Sequence, residues 1–144
     1  MADPQISIHT VPKKLLNDCW PLVHGHLTKA AEYTYGRYTA EDIYHMIANN
    51  PDVHLWAAAD PDYRCYGAVV TGFTAYPKHT VLNLFFCGGD RLELWKDPML
   101  AELRAYAKQV GCSCIELAGR RGWEKIFEPD GVKVRWTVCE LPLE

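Results

Sequence analysis

Several signatures are missing from this sequence. No apolar run approaches the roughly 18 residues that argue for a membrane span. There is no basic excess, since 15 Lys and Arg stand against 18 Asp and Glu for a net charge of -3. The whole-domain positive field of a nucleic-acid binder is therefore absent, and nucleic acid is not an expected partner. Met1 to Thr10 carries Asp3 and no basic-then-apolar leader, which argues against a secretory signal. Paired metal-ligand spacing is also absent: His24-x-His26 falls on a helical stretch where residues two apart do not share a face, and Cys112-x-Cys114 has no second pair. No P-loop, dinucleotide fingerprint or Ser-His-Asp pattern occurs. Without an export signal, the six cysteines (19, 65, 87, 112, 114 and 139) read as reduced thiols of a cytoplasmic protein, most of them packed as small hydrophobes.

What is present is the text of one domain spanning 1–144. Gln5 to Val11 alternates as a first strand. From Lys13 to Glu32 apolar residues recur at helical spacing, interrupted by Pro21. Thr39-Ala40-Glu41-Asp42 has the form of a capping box and opens a second helix that Asn49-Asn50-Pro51 ends. Three strands are predicted next, over Val53–Ala59, Cys65–Tyr76 and Thr80–Cys87, the last apolar enough to be buried on both faces. Gly88-Gly89 is expected to stop that strand. Asp97-Pro98 predicts a helix with Asp97 as N-cap, running to Val110 with Gly111 as its stop. Cys112 to Ala118 reads as a strand, Gly122 to Glu128 as a short helix, and Val132 to Leu141 as a last alternating strand. The order β-α-α-β-β-β-α-β-α-β predicts an α/β fold, a central twisted mixed sheet flanked by helices.

That order resembles the GNAT superfamily of acyl-CoA-dependent N-acyltransferases. Gly67-Ala68-Val69-Val70-Thr71 is similar to the strand entering its central hairpin. Asn83 to Cys87 is similar to the strand that presents an edge to the pantetheine arm, and Met99 to Leu117 to the family's long helix and following strand. Gly36-Arg37-Tyr38-Thr39, Leu55-Trp56, Gly88-Gly89 and Gly119-Arg120-Arg121-Gly122-Trp123 together resemble small GNAT-like proteins of tailed bacteriophages. The resemblance implies acetyl-CoA as cofactor, held by Phe86, Cys87, Gly88, Gly89 and Arg91, and an amine as acceptor. Two features depart from the family. The junction Cys87 to Pro98 lacks the Arg/Gln-x-x-Gly-x-Gly/Ala spacing and carries Asp90, Glu93 and Asp97 where a diphosphate would sit. The closing helix carries Trp123 and Phe127 where the family's general acid, a Tyr, is expected.

Acyl transfer to an amine needs a base. Glu116 and His79 are the candidates, with His54 beside them; each also reads as an ordinary solvated side chain at a strand face or end. Gly88-Gly89 reads either as an anion cradle or as a plain turn. Arg120 and Arg121 either grip an anion or partner, or form a solvated turn. Tyr33, Tyr35, Tyr38, Tyr44 and Trp95 suit a protein interface if exposed and a core if not. Two functions follow: an N-acyltransferase with a degenerate diphosphate loop, or a non-catalytic phage virion protein that uses the same scaffold to bind other structural proteins or a second copy of itself.

Overall fold

The structure, a computed structural model, describes residues 3–144. A five-stranded mixed sheet is built in chain order, β1 (Ser7–Val11), β2 (His54–Ala59), β3 (Cys65–Ala75), β4 (Thr80–Gly89) and β5 (Ile115–Leu117). The first four strands are antiparallel, and β5 adds to β4 in parallel after a helical crossover. Helices α1 (Leu16–Glu32) and α2 (Ala40–Asn49) cover one face, and α3 (Lys96–Gln109) covers the other. A short α4 (Gly122–Ile126) follows β5.

Strand alternation explains the two cores. Along β3, Ala68 and Val70 point toward Val23, Leu27, Ile43 and Ile47 of α1 and α2. Between them, Val69 points the other way, toward Trp95, Met99 and Leu103 around α3. β4 contributes to both cores, with Phe86 on the first and Leu82 and Leu84 on the second. It is buried on both faces as its composition predicts.

α1 runs through Pro21 without a break. Lys13, in a 3-10 turn before α1, donates to the carbonyls of Ile47 and Val53 and ties the end of α2 to the approach to β2. The capping box forms in full: Asp42 N–H donates to Thr39 Oγ1 at 3.2 Å, and Thr39 N–H donates to Asp42 Oδ2 at 2.9 Å. α3 ends with Gly111 in the left-handed region, φ 82°, as expected of a helix stop.

Four expectations are corrected. Gly88-Gly89 does not stop β4, which continues through both. Asp97 is not the N-cap of α3; the helix starts at Lys96 with Trp95 in the cap position. The cysteines are less buried than expected: Cys19, Cys65, Cys87 and Cys112 are half-buried, while Cys114 lies in the turn before β5 and Cys139 in the tail, both exposed. Val132 to Leu141 forms no strand. Its alternation is that of a strand, but past Val132 its backbone N–H groups meet no backbone acceptor among the described residues. Among the described residues, no helix is long and apolar enough to cross a membrane.

Candidate functional site

The sheet opens at one place, and a bulge opens it. On β3, Val70 faces Phe86 while Thr71 faces Leu84, so Phe85 is an extra residue on β4. A bulge bends its strand and raises the local twist. Its ring is accommodated by Gly72, where any Cβ would overlap it. β5 pairs with β4 only before the bulge, over Leu82–Leu84. From Phe85 to Gly89, β4 has no strand partner on that side among the described residues. The result is a cleft between the end of β4 and the chain leaving β5.

On the α1/α2 face, the cleft carries polar groups. Ile115 and Leu117 pack on the α3 side, so Glu116 between them points to the opposite face, in register with Asn83. The Tyr76 hydroxyl donates to Glu116 Oε1 at 2.8 Å. That bond to a carboxylate raises the Tyr76 ionisation above the ordinary phenol value, so Tyr76 keeps its proton. Nearby, Asn83 Nδ2 donates to Thr74 Oγ1 at 3.0 Å. His79 lies in the exposed β3–β4 turn, where its carbonyl accepts from Tyr76 N–H; no hydrogen bond or ion pair joins its ring to Glu116 among the described residues. His54 sits on β2, edge-on to Tyr106 at 5.7 Å, with burial holding its ring below the usual histidine value.

Aromatic groups and one arginine flank the mouth. The Arg120 guanidinium lies 4.4 Å above the Tyr33 ring, donates to the Tyr33 hydroxyl at 3.0 Å, and lies 5.8 Å from Trp123. Tyr38 meets Phe86 edge-on at 5.1 Å. Tyr33, Tyr35 and Tyr38 are exposed, whereas Trp95 is buried. Tyr76 carries no signal in the sequence, and Tyr33, Arg120 and Trp123, each a candidate on its own there, are joined into one stack only by the structure. No linear spacing signals them, because each joins segments tens of residues apart.

On the α3 face the cleft is nearly closed. A cavity of ≈ 20 Å³ lies among Val69, Leu84, Cys87, Trp95, Met99 and Phe127, room for about one water. Burial pushes the Cys87 thiol up to about 12, against a smaller opposite pull from Arg120, so it is a neutral SH and not a ready nucleophile.

The start of α3 decides how a coenzyme A diphosphate would fare. Cβ atoms on Gly88 and Gly89 would overlap the His26 carbonyl and the Tyr66 carbonyl, so both glycines serve close packing of α1 and β3 on β4. Asp90, Glu93 and Asp97 surround the helix start, and Pro98 removes one of its free N–H donors. The nearby cations have carboxylate partners: Lys29 with Asp90 at 3.1 Å, Arg91 with Asp3 at 3.0 Å and Glu93 at 3.4 Å, Lys96 with Asp130 at 2.8 Å. A diphosphate here would meet like charge with its counter-charges engaged. The residues at this end do not fit it. The unpaired β4 edge, by contrast, fits an extended amide-bearing arm, which can pair with strand N–H and C=O groups.

Neither protein-family models nor curated proteins give a match to the sequence. Solved structures do. The chain is similar to a probable acetyltransferase (TM-score 0.72, 15% identity, covering 96% of this chain and 98% of that one). It is similar also to an aminoglycoside N-acetyltransferase in complex with CoA (TM-score 0.70, 12% identity, 98% and 96%). A third is the ribosomal-protein-alanine N-acetyltransferase of Brucella melitensis biovar Abortus 2308 (TM-score 0.68, 14% identity, 96% and 99%). The mixed sheet flanked by helices is the GNAT acetyltransferase fold.

Proposed function

We propose that this chain is an N-acyltransferase that holds a pantetheine thioester by its arm, with little or no contribution from a diphosphate. One observation carries the reading: the bulge at Phe85 leaves the β4 edge unpaired, and Glu116 faces the same cleft from β5. The edge from Phe86 to Gly89 would bind the arm as an added strand. The thioester supplies the activated acyl carbon. Glu116 would take the proton of an incoming ammonium, and Tyr76 would orient that carboxylate. Arg91, with two carboxylate partners, is left outside this assignment. Acetyl-CoA is the donor to test first, and the acceptor is an amine entering on the α1/α2 face.

The test compares acetyl-CoA with S-acetylpantetheine, which lacks the diphosphate. At tenfold above its dissociation constant, either would stabilise the fold by about 1.4 kcal/mol, roughly 3–6 °C in melting temperature. The expected result is an equal shift for both, thiol release on adding amines, and at least about tenfold slower release in Glu116→Gln. No shift with either at millimolar concentration sinks the reading.

A second reading is favoured by the acid-lined start of α3. The same scaffold, with its donor site lost, would act as a binding module, such as a virion component encoded by a phage. Failure of both donors, together with co-purification in particles, supports it.

A further inference from the structure

The turn that delivers β5 carries two thiols that the acyl-transfer site does not use. Gly111, in the left-handed region, ends α3 and turns the chain toward the sheet. Cys112, Ser113 and Cys114 follow, and β5 begins at Ile115. Three backbone bonds pin this turn. Cys112 N–H donates to Ala107 O at 2.8 Å, Ser113 N–H to Thr80 O at 2.9 Å, and Leu82 N–H to Cys114 O at 3.0 Å. In a straight strand, residues two apart are separated by roughly 6.6 Å. That is near the far limit for a disulfide, whose Cα atoms lie about 4.4–6.8 Å apart. Here the chain bends at Ser113. A bent chain spans less than an extended one, which favours the closer approach that a bridge needs.

Both thiols line one open groove of ≈ 350 Å³, which Arg104 and Lys108 also line. Cys114 is exposed, and Cys112 is half-buried against the α3-side core. Burial first, and then the neighbouring Cys114, push the Cys112 thiol up, so Cys112 starts as a neutral SH. Arg104 and Lys108 stand four residues apart on one face of α3. No carboxylate pairs with either among the described residues, and Arg104 donates to the Asp130 carbonyl at 3.2 Å. Lys29, Arg91 and Lys96, by contrast, are each held by carboxylates. The groove therefore sets two uncompensated positive charges beside two thiols.

We propose that Cys114 and Cys112 are a redox dithiol oxidised by a small anionic disulfide of the glutathione class, whose carboxylates Arg104 and Lys108 draw into the groove. Exposure sets the order of events. The Cys114 thiolate attacks one sulfur of the incoming disulfide. That S–S bond breaks and a bond forms between Cys114 Sγ and the attacked half. The other half leaves as a thiolate and takes up a proton, matching the one Cys114 lost to solvent. Cys112, once deprotonated, then attacks Cys114 Sγ. The mixed disulfide breaks, the Cys112–Cys114 bond forms, and the second half leaves as a thiol. In sum, two cysteine thiols give up two electrons and two protons, and one disulfide becomes two thiols. A ring closed over one intervening residue is strained, so it is readily reduced again. Cys139, the other exposed cysteine, has no second cysteine near it in the sequence and serves as the internal reference.

The experiment treats the reduced full chain with oxidised glutathione and, in parallel, with the neutral bis(2-hydroxyethyl) disulfide, and follows the products by peptide mass spectrometry. With oxidised glutathione, the peptide that holds both cysteines should lose two hydrogens and retain no adduct. It should do so at least about tenfold faster than Cys139 gains glutathione, the gain expected of a charged groove. That advantage should shrink with the neutral disulfide, and with oxidised glutathione at high salt. Cys112→Ser should arrest the reaction at a stable glutathione adduct on Cys114. Cys114→Ser should leave Cys112 reduced. Lys108→Glu, an exposed change on α3, should slow oxidation by glutathione about tenfold and leave the rate with the neutral disulfide unchanged. A wild-type chain whose Cys114 reacts no faster than Cys139 overturns the proposal. So does a glutathione adduct that persists on wild-type Cys114 while Cys112 stays reduced, a result that decides ring closure even if Cys112→Ser fails to fold. A Lys108→Glu variant that oxidises as fast as the wild type overturns it equally.

Discussion

At the scale of residues, Gly67, Gly72, Gly88 and Gly89 are places where two pieces of backbone or a ring come into contact. The Trp95 indole lies against Gly67, and its Nε1 donates to the Asp90 carbonyl at 3.0 Å. Gly88 lets the His26 carbonyl of α1 approach β4. A glycine pair after an apolar strand suggests a turn or an anion cradle when only neighbours in sequence are visible. The partners that explain it here, His26, Tyr66 and Trp95, come from α1, from β3 and from the loop before α3. Gly88→Ala should then destabilise the fold by about 1–3 kcal/mol, because the added methyl meets backbone and not a flexible side chain. A thermal melt checks this: the variant should lose roughly 2–12 °C at this size. A melting temperature equal to the wild type would show that α1 can move away from β4 freely.

Elements were legible in the sequence where their signals are local. Thr39 and Asp42 are three residues apart, and both hydrogen bonds of the box are present. Gly111 stops α3 for a reason contained in its own φ. The start of α3 was misplaced because the local pattern Asp97-Pro98 competes with a tertiary anchor. Trp95 is fixed in the α3-side core, and the helix begins directly after it. Within the candidate site, Glu116 was readable as a polar residue between two apolar ones, but its partner Tyr76 is 40 residues away and only the hairpin brings them together. The capping box yields a pH prediction. Hydrogen bonding from Thr39 N–H, and then with the Thr39 side chain, holds the Asp42 carboxyl below its ordinary value. A carboxyl depressed in the folded state stabilises the fold above its unfolded value, near 4, and loses that contribution as pH falls through its folded value. Thr39→Ala should cost about 0.5–2 kcal/mol at pH 7, and the gap between variant and wild type should narrow as pH drops below about 4. Parallel melting curves from pH 7 to pH 3 provide the measurement. A gap that stays constant would show that the Thr39 side chain acts through the Asp42 N–H alone and contributes nothing to the Asp42 ionisation, since Ala at 39 keeps the main-chain bond to that carboxylate.

At the scale of the whole molecule, the two cores lie back to back on one sheet, and the proposed chemistry sits where that sheet is least complete. β3 and β4 pair over nine registered positions, with β2 on the far side of β3, whereas β5 is three residues long and has one neighbour. A strand with few bonds and a free edge opens locally at a free energy well below that of global unfolding. The cleft between β4 and β5 therefore combines a rigid wall with a yielding one, so an arm could enter past a cavity that has room for about one water at rest. This ranking is measurable by native-state hydrogen exchange. The amides of Val69 and Val70, on a strand flanked by β2 and β4, should exchange only through global unfolding, with a denaturant dependence equal to that of the whole protein. Those of Glu116 and Leu117 should exchange orders of magnitude faster and with almost no denaturant dependence, the mark of local opening. If β5 instead exchanges with β3 as one unit, the cleft is as rigid as the core, and entry of an acyl-bearing arm between β4 and β5 would require the sheet itself to unfold.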